Sequence, residues 1–155
     1  MPPSLLFDLA SIDLNAVLHD QEEIRQANPQ RGHMEHLNGV IWHAGSHILG
    51  YKDVRPDEFW VAGHVPGRPL LPGVIMLEAA AQLASFYAHK YLEWKGFIGF
   101  GGMDGVRFRN AVPPGKRMYI LAAMHDTRHR RIRGATQGVV DGNLVFEGEI
   151  IGVQM

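Results

Sequence analysis

Two residue types suited to proton transfer stand fourteen positions apart, His64 and Glu78. The histidine lies in Gly63-His64-Val65-Pro66-Gly67-Arg68-Pro69-Leu70-Leu71-Pro72-Gly73, eleven residues with three prolines and three glycines. Proline fixes φ and glycine permits close backbone approach, so this loop is stiff. A histidine held in this way is placed to act as a general base. The loop runs into a helix start at Pro72, and the free N–H groups near Gly73 and Val74 can hold a developing oxyanion. Glu78 is the one acid in the first five turns of an apolar helix. Burying a carboxylate there is costly unless it is paired or neutralised. It must face a gap, a partner subunit or a salt-bridging arginine. Gln82, one turn further on, falls on the same face.

The elements that hold these residues follow from pattern. Pro72 to about Lys95 reads as one long helix, with Pro72 suited to the first turn and Gly96 as the stop. It is apolar on nearly every side over four turns, which is the mark of a buried helix. Gly39 to Val54 reads as two strands around Ala44-Gly45-Ser46. Gly105–Asn110, Arg117–His125, Arg131–Val140 and Leu144–Val153 read as further strands. Asp141-Gly142 is a hairpin signal, because both residues tolerate positive φ. The first 30 residues read as a helical lead-in, with Asp13 capping a segment through Leu14, Val17, Leu18 and Ile24. One buried helix and an antiparallel sheet make an α+β architecture. A chain of 155 residues is expected to form one domain over residues 1–155.

Composition narrows the function classes. Lys and Arg total 15 against 16 Asp and Glu, a net charge of −1. That balance excludes non-specific nucleic-acid binding as the main role. The absence of cysteine excludes disulfides, thiolate metal sites and a cysteine nucleophile. It suits a cytoplasmic location. Met1-Pro2-Pro3-Ser4-Leu5-Leu6-Phe7-Asp8 lacks the pattern of a secretory signal, and no apolar run is long enough to span a membrane.

Phe59 to Gln82 closely resembles the active-site signature of the β-hydroxyacyl-acyl-carrier-protein dehydratases. That family reads Gly-His-Phe-Pro, then Pro-Gly-Val leading into a helix with Glu-Ala and a terminal Gln. Here these stand as Gly63-His64-Val65-Pro66, Pro72-Gly73-Val74, Glu78-Ala79 and Gln82. The Met103 to Lys116 run and Val140-Asp141-Gly142 are similar with less force, so the likeness covers about 100 residues from Gly50 onward. Val65 replaces the family's aromatic, and Asn28-Pro29-Gln30-Arg31 stands where the family has Pro-His-Arg-Tyr-Pro. Glutamate at 78 points to the general dehydratase branch, since the isomerising branch carries aspartate.

The resemblance implies a hot-dog fold, a long helix enclosed by a curled antiparallel sheet. It implies a homodimer in which His64 of one subunit faces Glu78 of the other, with trimers of dimers as a further assembly. His64 and Glu78 are the implied catalytic pair; Gly73, Val74, Val65 and Gln82 are the implied substrate contacts. The substrate would be a 3-hydroxyacyl chain on an acyl carrier protein, with no metal or redox cofactor, no nucleic acid and no membrane. Other hot-dog proteins are thioesterases, and a non-catalytic acyl-binding relative is a further alternative.

Remaining signals fit less. His33 and His36, and His43 and His47, have metal-like spacing, but no acid completes a known motif. Gly99-Phe100-Gly101-Gly102 imitates a nucleotide loop, yet it follows a helix and precedes a strand, the wrong order for a dinucleotide site. It is expected to be a flexible lead into the next strand. Arg128, His129, Arg130, Arg131 and Arg133 form a basic run. They are either a solvated hairpin end or a docking patch for an acidic carrier, which Lys116 and Arg117 could join.

Overall fold

The computed structural model describes residues 4–155; Met1 to Pro3 of the N-terminal reading lie outside the described residues. Helix α1 spans Gln21–Ala27, and strands β1 (Gly39–Ala44) and β2 (His47–Asp53) form a hairpin. A long loop leads to α2 (Gly73–Tyr91), followed by β3 (Ile98–Phe108), β4 (Arg117–Asp126), β5 (Arg131–Val140) and β6 (Asn143–Gln154). The strands form one antiparallel sheet in the order β1-β2-β4-β5-β6-β3. It curls around α2 in the hot-dog arrangement.

The two faces of the sheet explain why its central strands are buried along almost their whole length. The inner face packs Ile48, Ile120, Ile132, Phe146 and Ile150 against Ala79, Ala80, Leu83 and Phe86 of α2. Alanines on α2 let the sheet approach closely, and each fully buried large side chain contributes roughly 1.5–3 kcal/mol. The outer face gathers Leu49, Tyr51, Leu121, Val139 and Leu144 into a second cluster, covered by Leu6, Phe7, Leu9, Ile12 and Leu14 of the N-terminal segment. Asp141 (φ 51°) and Gly142 (φ 77°) make the tight turn between β5 and β6.

Three elements depart from the sequence-based expectation. The lead-in is not helical from Asp13. Residues 4–20 form turns strapped across the outer sheet face, and Asp13 Oδ1 accepts the N–H of Asn15 instead. The true cap is Asp20, whose carboxylate accepts the Glu23 N–H at 2.9 Å. Burying an apolar sheet face outweighs local helix signals here. Next, α2 ends at Tyr91 rather than Lys95: Glu93 turns left-handed (φ 57°) and the Trp94 N–H returns to the Ala88 carbonyl. Its 19 residues span about 28 Å. Finally, Gly99 to Gly102 belong to β3 rather than to a flexible lead-in. A Cβ on Gly101 would lie 2.6 Å from Val153 Cγ2 of β6, so glycine is what permits this close pairing.

Candidate active site

The loop between β2 and α2 is fixed by backbone hydrogen bonds. The N–H of His64 donates to the Trp60 carbonyl at 2.9 Å, Arg68 N–H to Val65 O at 2.9 Å, and Leu71 N–H to Val112 O at 2.8 Å. The exposed imidazole of His64 has its Nδ1 2.8 Å from the Leu70 carbonyl. A carbonyl oxygen only accepts, so Nδ1 carries the proton and the Nε2 lone pair is left open. His64 shares an open groove of about 600 Å³ with Leu70, Gly73, Val74, Phe108 and Asn110. In the first turn of α2, the Ile75 and Met76 N–H groups return to the Pro72 carbonyl. Those of Gly73 and Val74 are the remaining orphan donors. The structure therefore brings the imidazole and two backbone donors to one surface.

Glu78 opens elsewhere, into a partly open cavity of about 140 Å³ lined with Gln30, Ser85, Phe97, Ile98, Ile132 and Ile150 among others. Burial pushes its carboxyl above the ordinary range, although the hydrogen bond from Gln82 opposes the shift. Gln82 Nε2 donates to Glu78 Oε2 at 3.0 Å, and among the described residues no basic group pairs with this acid. A carboxyl whose proton affinity is raised by burial is suited to donate that proton to a bound group.

Gln82 does more than adjoin Glu78. It is 2% exposed. Its Nε2 also donates to Met34 O at 2.7 Å, while its Oε1 accepts the N–H groups of His36 (3.0 Å) and Leu37 (3.1 Å). These four bonds occupy its whole amide, so Gln82 orients Glu78 and clamps the 34–37 segment, with no polar atom left free for the expected substrate contact. Val65 lines neither the groove nor the cavity; its carbonyl accepts the Arg68 turn.

Sequence reasoning missed a buried polar cluster below the His64 loop. Lys52 (1% exposed) places Nζ 2.7 Å from Glu58 Oε1 and 3.2 Å from His36 Nδ1. The signal available was parity: Ile48, Gly50 and Lys52 alternate along β2 on the helix-facing side. Gln30 was also missed. It reaches the Glu78 cavity, and its Oε1 is buried without a partner.

The histidine pairs have other uses: His43 stacks on Tyr91 with ring centroids 3.6 Å apart, and His36 accepts from Lys52. Two members of the basic run are paired, Arg128 with Asp126 and Arg133 with Glu149 and Asp104. Arg130 and Arg131 remain exposed at the β4–β5 tip, in no ion pair among the described residues. Lys116 and Arg117 do not join them. They pair with Asp141 and Asp53 at the opposite end of β4, about 30 Å away along the strand.

Comparison with known proteins shows what the chain is similar to. Over 108 residues the chain is 34% identical to the 3-hydroxyacyl-[acyl-carrier-protein] dehydratase FabZ of Herpetosiphon aurantiacus, covering 69% of this chain and 77% of that protein. It is 36% identical over 109 residues to FabZ of Moorella thermoacetica, covering 70% and 76%. Among solved structures, it is similar to the dehydratase heterocomplex ApeI:P from Xenorhabdus doucetiae, with a TM-score of 0.72 at 17% identity over 85% of this chain and 90% of that one. Cj0977, a sigma28-regulated virulence protein from Campylobacter jejuni, aligns with a TM-score of 0.66 at 15% identity over 93% and 96%. These two likenesses concern the hot-dog fold alone. No helix among the described residues is long and apolar enough to cross a membrane. Residues 29–151 match the FabA-like domain family, and the chain belongs to that family.

Proposed function

We propose that this protein dehydrates 3-hydroxyacyl thioesters of acyl carrier protein to trans-2-enoyl thioesters, in fatty-acid or related biosynthesis. The carrying observation is the geometry of the two groups: an imidazole with an open Nε2 beside two backbone donors, and a carboxyl whose proton affinity is raised by burial. His64 Nε2 takes the proton α to the thioester carbonyl. The N–H groups of Gly73 and Val74 hold the oxygen on which charge develops. Glu78, oriented by Gln82, gives its proton to the β-hydroxyl, which leaves as water as the C2–C3 double bond forms. The proton on His64 then returns to Glu78 through solvent.

His64 and Glu78 open onto separate cavities of one chain, so the working site is shared by two copies, His64 of one facing Glu78 of the other. The free edge of β3, with Phe100, Met103 and Phe108 exposed, supports a second copy docking there. Exposed Arg130 and Arg131 suit an acidic carrier protein. The cysteine-free sequence suits a reducing compartment such as the cytoplasm.

The test is turnover of a 3-hydroxyacyl thioester, followed by absorbance of the enoyl product and by mass spectrometry. His64→Ala and Glu78→Ala should each lower kcat about 10²–10⁴-fold. Mixing the two inactive homodimers should restore activity, because half of a random mixture is heterodimer with one intact site, about a quarter of wild type. Free thiol as product would make the protein a thioesterase, and no turnover on carrier or coenzyme A thioesters would make it a binding protein. Turnover with no recovery on mixing would refute the shared site.

A further inference from the structure

Lys52 is an ammonium sealed beneath the active-site loop, where a methionine or leucine would fill the same space. Replacing a buried ion pair by apolar residues of similar volume is often neutral or stabilising. Stability alone therefore gives little reason for a lysine here. Its contacts give a better one. Nζ donates to Glu58 Oε1 at 2.7 Å, and the same oxygen accepts the Trp60 indole N–H at 3.2 Å. Glu58 Oε2 accepts the Arg55 N–H at 2.8 Å, so the carboxylate ties together both ends of the Arg55–Trp60 turn. The Trp60 carbonyl in turn receives the N–H of His64. On the other side, Nζ donates to His36 Nδ1 at 3.2 Å, and the His36 N–H is clamped by Gln82 Oε1, whose Nε2 holds Glu78.

We propose that Lys52 and Glu58 are positioning residues for the reaction: one buried pair from which the His64 loop is braced through Trp60, and Glu78 is braced through His36 and Gln82. The inference rests on the dehydratase reading for the roles of His64 and Glu78, and on geometry for the bracing. Burial, reinforced by Lys52, pulls the His36 imidazole down to about 4, so it is neutral and its Nδ1 lone pair is available to the ammonium. Burial opposes the ionised form of Glu58, but the hydrogen bonds from Lys52 and the Arg55 N–H overcome it and hold the carboxyl below its usual range. If the site is shared by two copies, each buried pair supports the base of one site and the acid of the other.

Lys52→Met alone strands a buried carboxylate and is expected to lose much of its stability, so the informative variant is Lys52→Met/Glu58→Gln. Neutralising both should return thermal stability to near that of wild type. With the brace gone, kcat should fall at least tenfold while KM changes less than threefold. Lys52→Arg with Glu58 intact should recover part of kcat. In ¹⁵N-resolved NMR, the Gln82 side-chain amide and the His64 backbone N–H should shift or broaden in the double variant. A folded double variant with wild-type kcat would overturn the inference. So would unchanged Gln82 and His64 signals, whatever reaction the protein performs. A wild-type protein without dehydratase turnover would overturn the functional reading instead, and the NMR comparison would still decide the brace.

Discussion

Replacing Gln82 by leucine removes one side chain and unsettles three structures together. Leucine has nearly the same volume, so the packing of α2 is kept and the loss is polar. The His36 and Leu37 N–H groups lose the Oε1 they share, and the Met34 carbonyl loses its donor. Each stranded buried group costs about 1–3 kcal/mol, but residues 32–38 can relax toward water, so a net loss of roughly 3–4 kcal/mol is expected. For a chain of this size that is a fall in Tm of about 6–16 °C. The second effect is on Glu78. Burial raises its proton affinity and the Gln82 bond lowers it, so deleting the bond leaves burial unopposed and the folded-state pKa rises further. A general acid must be protonated, so the rate falls as pH rises through that pKa. In the variant, this alkaline limb of kcat should move to higher pH while the plateau drops. The stability sign follows from the same shift: a carboxyl with a raised folded pKa costs nothing below its unfolded pKa and destabilises increasingly as pH rises through the folded one. The variant should therefore lose more stability at neutral pH than at pH 4. Thermal unfolding across pH, with kcat measured on the same samples, tests both effects. A variant within 1 kcal/mol of wild type whose alkaline limb has not moved would refute the assignment of Gln82 as clamp and orienting group.

Three other outcomes follow from the site. Glu78→Gln should abolish turnover yet unfold at higher urea concentration than wild type at neutral pH, because it removes a carboxyl that burial disfavours. That advantage should vanish once pH falls below the ordinary glutamate range of about 4.3. Gly73→Ala puts a Cβ 2.7 Å from the Phe108 ring, which is half exposed and can swing away. Displaced backbone donors should then cost about 10²–10³ in kcat with a stability loss near 1 kcal/mol, read by steady-state kinetics and thermal unfolding. Arg130→Glu/Arg131→Glu should raise KM for carrier-linked substrate at low salt and leave KM for a coenzyme A thioester unchanged; a carrier-substrate KM equal to that of wild type would remove the hairpin tip from carrier docking.

What could be read in the sequence was what local chemistry determines. The Arg131–Val140 strand and its Asp141-Gly142 turn depend on alternation and positive φ within a few residues, and they stand where they were expected. The stiff loop, the first turn of α2 and the isolation of Glu78 were legible for the same reason. Choices made by tertiary contact were not. Asp13 and Asp20 are both of a type that caps helices, and only Asp20 accepts an N–H of a helix, that of Glu23. The segment after Asp13 is needed instead to cover Leu49, Leu121 and Val139, a demand visible only once the sheet exists. Glu93 ends α2 in a conformation usually given to glycine, so Gly96 misled. Lys52, Glu58 and His36 are scattered over 23 positions, and nothing short of the folded loop brings them together.

The separation of His64 from Glu78 follows from helix geometry. Gly73 and Glu78 are five residues apart on α2, a rotation of about 140° beyond one full turn and a rise of about 7.5 Å. The backbone donors at the start of the helix and the carboxyl further along therefore look out on different sides of the same rod. The donors face the groove that holds His64, and the carboxyl faces the cavity walled by Ile98, Ile132 and Ile150. Bending the chain to bring both to one substrate would mean unwinding a helix whose next turns, Ala79 to Ala88, are buried against the sheet. A second copy would remove the conflict: its α2 could offer the acid where the first offers base and donors, and each copy would then contribute half of two sites. The recovery of activity on mixing His64→Ala with Glu78→Ala tests this geometry directly, since a site built within one chain would gain nothing from a partner carrying the other defect.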